Sequence, residues 1–255
     1  MEERLRQLLC GLVIFATHLV EGITGFGSSV LALPFLTPLA GLKDAVTLLC
    51  MLNCLMAAYI VARSWRSISG KEFLFILLWV GLGLPAGIAL YEYLPAQQLC
   101  VLLGAAMIVI GADGLRKSFR AKPDAAPAKR NLPMRALLFT GGIIQGAFGS
   151  GGPFVVIYAA RALPEKSLFR VTLSLLWLTT NMARLAVWAV RGTVGNAADF
   201  RMLGAALPFM VAGVLLGDYL HRKVDETRFR RCVYGVLAAA GAVLLINNLA
   251  RILAA

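Results

Sequence analysis

Charge is scarce in this chain: 15% of its 255 residues are charged, while 59% are hydrophobic. So little charge cannot cover a solvated surface, which excludes a soluble enzyme or binding module and leaves a polytopic membrane protein in contact with a lipid bilayer. Histidine is rarer still, with only His18 and His221. The five cysteines (Cys10, Cys50, Cys54, Cys100 and Cys232) lie in or beside apolar stretches and form no CxxC or Cys/His cluster. Structural disulfides and bound metal are therefore not expected, and neither is a cofactor. Cys50 and Cys54 are four residues apart, on one helical face; small buried hydrophobes is the simpler reading, and a thiol role stays open. The amino-terminal stretch has no small-x-small cleavage pattern and stays apolar past Glu21 to Leu42. It reads as retained rather than as a signal peptide.

What the chain does have is uncharged runs of membrane-spanning length, such as 45–62, 73–91, 93–112, 136–160 and 232–250. Inside them a glycine pattern is written twice, 124 residues apart: Glu21-Gly22-Ile23-Thr24-Gly25-Phe26-Gly27 and Gln145-Gly146-Ala147-Phe148-Gly149-Ser150-Gly151. The repetition extends further. Asn53 precedes Arg63 by ten residues and Asn181 precedes Arg191 by ten, and Ala86-Gly87 with Tyr93-Leu94 is matched by Ala212-Gly213 with Tyr219-Leu220. The pattern implies a duplicated fold with a broken helix in each half.

Basic loops discriminate between topologies. The net charge of +12 does not point to nucleic acid, because the lysines and arginines sit in short loops between apolar runs, where they orient a membrane protein. If each of eight segments crosses once, basic residues divide fifteen against nine. If Leu5 to Leu42 and Ala136 to Ala160 each enter, break at the glycines and return, they divide eighteen against six. The second arrangement obeys the positive-inside rule far better. Each half is then a broken-helix hairpin plus three transmembrane helices, and the odd number of crossings inverts the second half. The expected fold is all-α and polytopic, with two inverted-topology repeats: a first repeat at 1–115, a basic cytoplasmic linker at 116–133 and a second repeat at 134–255, both termini outside.

A helix broken at mid-membrane exposes backbone groups that lipid cannot satisfy, so the break must face protein, water or a ligand. Two restarting helices present N-H groups and positive dipole ends. The expected anion site comprises Gly25, Phe26, Gly27, Ser28 and Ser29 with Gly149, Ser150, Gly151 and Gly152. The competing reading is that these glycines only let helices pack closely. Asn53 and Asn181 can donate to the same anion or pair between helices. Arg184, the single basic residue outside the loops, is the anion's counter-charge or gate, or else a paired structural group. Glu21 and Gln145 share one repeat position; with His18, three residues before Glu21, they are candidates for proton coupling or gating. His221 belongs to a basic loop.

These motifs resemble the sulfite exporter TauE/SafE family of membrane permeases, through Gly22 to Gly27 with Leu33-Pro34-Phe35-Leu36 and through Gln145 to Pro153. The resemblance extends over essentially the whole chain. It implies a transporter, in the bacterial inner membrane, of sulfite or a sulfur-containing organic anion, working by alternating access and not as an enzyme. The first copy departs from the commoner Gly-x-Gly-Gly-Gly form, with Gly25-Phe26-Gly27-Ser28-Ser29 in its place. A passive anion channel is the alternative within the same architecture, and an intramembrane serine hydrolase built on Ser150 and His18 is the enzymatic one. Association into a homodimer is left open.

Overall fold

The computed structural model describes residues 2–24, 27–119, 130–149, 151–163, 165–195, 197–221 and 226–253. Among them every regular element is helical: α1 (Glu2–Thr24), α2 (Ser28–Ala40), α3 (Leu42–Ser64), a 3-10 turn (Trp65–Ser67), α4 (Gly70–Tyr93), α5 (Ala96–Phe119), α6 (Leu132–Phe148), α7 (Gly152–Ala162), α8 (Lys166–Val190), α9 (Ala197–His221) and α10 (Glu226–Leu253). Among the described residues six stretches are long and apolar enough to cross a membrane: Leu5–Ile23, Leu42–Ser67, Gly70–Tyr93, Ala96–Arg116, Ser167–Val190 and Asp199–Leu220. The chain is a multi-pass, all-helical membrane protein, as its composition requires.

Helix ends follow local chemistry. Asn131 caps α6, its Oδ1 accepting from the Met134 N-H at 3.3 Å, and Pro133 in the first turn has no N-H to leave unsatisfied. Both glycine motifs coincide with helix ends: α1 stops at Thr24 and α2 starts at Ser28, while α6 stops at Phe148 and α7 starts at Gly152. The 136–160 run is therefore two helices rather than one crossing. In each case the second helix packs back on the first, α2 on α1 and α7 on α6.

The helices form two compact units, and neither is one half of the sequence. The first comprises Met1–Val46, Tyr93–Pro123 and Gly204–Ala255; the second comprises Thr47–Glu92 and Asp124–Leu203. In the first unit the α1 and α2 hairpin meets α9, where Gly22 lies against Gly217: a Cβ on Gly217 would sit 2.9 Å from the Gly22 Cα. There α5 runs along α10, with Gly104 backed onto the Gly241 carbonyl, 2.8 Å from where its Cβ would be. In the second unit α6 meets α4 through facing pairs of glycines, Gly142 and Gly146 on α6 against Gly83 and Gly87 on α4. Ile76, Val80, Leu138, Val155, Tyr158, Leu173 and Leu176 form the core that joins α4, α6, α7 and α8. Where lipid and side chain are equally apolar, close backbone approach supplies the van der Waals contact that holds helices together, and only glycine permits it.

That dependence is testable. A side chain on Gly87 would fall on the Ile143 carbonyl, whereas nothing lies within 4 Å of a Cβ at Gly81 on the same helix. Gly87→Val should cost about 1–3 kcal/mol or more through overpacking, lowering the unfolding temperature in detergent, while Gly81→Val should leave it nearly unchanged. Equal stability of the two variants would contradict the packing.

Candidate functional site

The second glycine motif is held open by one amide. Gln145, in the last turn of α6, accepts at Oε1 from the Gly151 N-H at 2.9 Å, across the break. Its Nε2 donates to Thr180 Oγ1 at 3.2 Å and to Asn181 Oδ1 at 3.0 Å, both on α8. The Thr180 hydroxyl donates in turn to the Leu176 carbonyl at 2.9 Å, which leaves its oxygen free to accept from Gln145. One buried side chain thus ties together the end of α6, the start of α7 and the middle of α8. Only a group with both an acceptor and two donors can do this.

Beside the break lies Arg184. Its side chain is fully buried, and Nε, Nη1 and Nη2 have no hydrogen-bond partner among the described residues. The guanidinium stacks over the Trp188 ring, Cζ 4.5 Å from the centroid, and Trp188 packs on Tyr91 with centroids 5.2 Å apart. The glycine at 149 is what admits it. Gly149 has φ 66, the left-handed region that favours glycine, and a Cβ there would stand 2.7 Å from Arg184 Nη1. Cation-π stacking supplies about 2 kcal/mol when desolvated, and the carbonyl end of α6 adds a favourable dipole. Against these, a buried charge costs several kcal/mol. The balance leaves a guanidinium whose donors have no hydrogen-bond partner among the described residues, beside the break that precedes the first-turn N-H groups of α7. An anion with several acceptor oxygens satisfies both.

The remaining predicted residues divide between the units. Asn181 sits with Gln145 and Arg184 in the second, its Oδ1 turned to Gln145 and its main-chain oxygen accepting from the Cys50 thiol at 3.6 Å. Asn53 is buried on α3 of that unit. Gly151 serves packing: a Cβ there would stand 2.7 Å from the Gln145 Cβ and run into the Gly141 carbonyl. Gly152 opens α7. In the first unit Gly27, at φ 102, precedes α2, whose N-terminus also has no side-chain cap, and Ser28 and Ser29 are buried in its first turn. Glu21 is buried one turn after His18, whose Nδ1 donates to the Ile14 carbonyl at 2.8 Å. Gly25, Phe26 and Ser150 lie outside the described residues. Thr180 and Trp188 were not anticipated; Trp188 stands four residues after Arg184, the spacing that brings helical side chains together.

Cys10 to Leu244 match the family model described as sulfite exporter TauE/SafE. The chain belongs to the TauE/SafE family. A relative from Cupriavidus necator, named "Probable sulfite/organosulfonate exporter TauE", is 27% identical over 238 residues, covering 89% of this chain and 88% of its own. Another from Comamonas testosteroni, named "Probable inner membrane transporter protein TsaS", is 27% identical over 177 residues, covering 69% and 70%. No solved structure matches the chain. Members of this family are membrane transporters, so the hydrolase reading falls.

The clamp and the charge can be tested separately. Gln145→Leu leaves the Gly151 N-H and the Asn181 oxygen without their partner at about 1–3 kcal/mol each, and should lower the unfolding temperature and speed amide exchange at the start of α7. Gly149→Ala strains the backbone and displaces the guanidinium. It should impair anion flux in proteoliposomes more than it lowers the unfolding temperature; unaltered flux would remove Arg184 from the site.

Proposed function

We propose that this protein is a secondary transporter exporting a small sulfur-containing anion, sulfite or a sulfonate, by alternating access around the two glycine motifs. The observation that carries the proposal is the buried Arg184 guanidinium at the second break, which has no hydrogen-bond partner among the described residues. The name of the Cupriavidus necator relative supplies the substrate class. The anion is bound by Arg184, the start of α7 and the Asn181 amide, with Gln145 holding these groups in register. Asn53 and the segment from Gly25 to Ser29 are assigned to the same substrate path. Glu21 and His18, the ionisable groups at the first break, are assigned to coupling. The two halves of the sequence are inverted repeats in the bacterial inner membrane, with the linker at 116–133 cytoplasmic and both termini periplasmic.

Truncating one partner of a buried charge pair costs about 2–5 kcal/mol, tens- to thousands-fold. Arg184→Gln in proteoliposomes should therefore lose sulfite flux on that scale while remaining folded, and Arg184→Lys should recover part of it. Normal flux in Arg184→Gln would sink the assignment. Saturating flux that responds to a pH gradient is expected of the carrier; flux linear in concentration and indifferent to pH would favour a channel. Cysteine labelling in intact cells should find 116–133 cytoplasmic and both ends outside, and a cytoplasmic carboxyl terminus would refute the inverted topology.

A further inference from the structure

Two reactive groups of the second unit have no part in this scheme, the thiols of Cys50 and Cys54. They are buried one turn apart on α3, and Cys50 donates to the Asn181 carbonyl at 3.6 Å. Asn181 and Arg184 stand one turn apart on α8 and both face Gly149, whose Cβ would lie 3.8 Å from Asn181 Oδ1 and 2.7 Å from Arg184 Nη1. Cβ atoms four apart on a helix are separated by about 5–6 Å, beyond the roughly 3.5–4.5 Å of a disulfide. The intact helix therefore keeps the pair from closing on itself. Reactive sulfur is anionic, and a cation beside it stabilises the charge that develops as it attacks. An anion drawn to Arg184 also arrives at Cys50.

We propose that Cys50 is a covalent modification site for anionic thiosulfonates, compounds in which a sulfenyl sulfur is bonded to a sulfonyl group. The proposal rests on Arg184 as the anion's counter-charge. The thiol's proton passes to water that enters the site with the reagent, and the Cys50 sulfur attacks the sulfenyl sulfur. The sulfur-sulfur bond of the reagent breaks, and its electron pair leaves on the sulfonyl fragment as a sulfinate. Cys50 is oxidised to a mixed disulfide while the sulfonyl sulfur is reduced, so no further oxidant is needed. The attached fragment lies beside Arg184 and excludes the transported anion.

The probe is 2-sulfonatoethyl methanethiosulfonate, whose transferred fragment ends in a sulfonate, applied to the full-length protein in proteoliposomes. Peptide mass spectrometry should find the adduct on Cys50, sulfite should slow its formation, and dithiothreitol should restore flux. The cationic trimethylammonium-ethyl analogue should react at least about tenfold more slowly, since Arg184 repels it. Whatever flux Cys50→Ser retains should resist the anionic reagent, while Cys54→Ser should stay sensitive. If Cys50→Ser does not fold, adduct mapping on the unaltered chain decides. An adduct confined to other cysteines, or equal reaction with both reagents, would overturn the proposal. Normal flux in Arg184→Gln together with anion-selective labelling of Cys50 in the unaltered chain would overturn the transport assignment and leave the thiol site standing. Lost flux in that variant without labelling in the unaltered chain would do the reverse.

Discussion

A buried guanidinium must be compensated, and the architecture around the second glycine motif follows from how that is done. Arg184 cannot lose its proton, so its charge persists wherever it is put. The translocon scale alone sets about 2.5–3.5 kcal/mol against an arginine at the centre of a membrane helix. Trp188 and the carbonyl end of α6 offset part of this. Neither uses the planar array of N-H donors, which is matched to an oxyanion. Gly149 gives the array room, and Gln145 fixes the backbone that surrounds it. A transporter needs a charge that the protein leaves incompletely satisfied, because a guanidinium locked into an internal ion pair would have no donors left for cargo.

Glycine sets the second constraint. Each compact unit takes helices from both halves of the sequence: α9 packs on the hairpin of α1 and α2, and α4 packs on the hairpin of α6 and α7. In both places the contact is backbone against backbone, at Gly22 with Gly217 and at Gly87 with Gly146. The glycines of the two motifs therefore have separate duties. Gly22, Gly146 and Gly151 serve packing, while Gly149 serves the site. Close packing, one of the two readings open at the level of sequence, thus holds at three positions of the motifs, while at Gly149 the absent side chain leaves room for the Arg184 guanidinium.

Much of this was legible in the sequence. The helix ends at Thr24 and Phe148 follow from glycine in an apolar run, and the all-helical membrane fold follows from composition. Arg184 stood out as the one basic residue with no loop to occupy. What could not be read is non-local. The pairing of α4 with α6 and of α9 with α1 depends on which glycine faces meet, and a single sequence encodes the faces without their partners. The three bonds of Gln145 likewise depend on α8 arriving at hydrogen-bond distance, since Thr180 and Asn181 lie 35 and 36 residues away. The neighbourhood of Trp188 is the exception, since its spacing of four residues from Arg184 places the two side chains together on one helical face.

The motif copies differ at four of seven positions, and only at the first does an ionisable side chain stand against one that cannot ionise. At 145 an amide accepts once and donates twice, and it bears no charge at any pH. A carboxylate there could accept from Gly151 but could not donate to Thr180 or Asn181, and it would place a negative charge near Arg184 in competition with an anionic cargo. Glutamine at this position thus keeps the second break neutral and its shape independent of pH. At 21 the same position is a carboxyl group, one turn after a histidine whose Nδ1 hydrogen is committed to Ile14. That carboxyl becomes a donor only by taking up a proton, so any bonding in which it must donate depends on its protonation. Under the proposed transport, the guanidinium that meets the cargo lies beside the copy that begins with an amide, and the response to protons is assigned to the copy that begins with a carboxyl group.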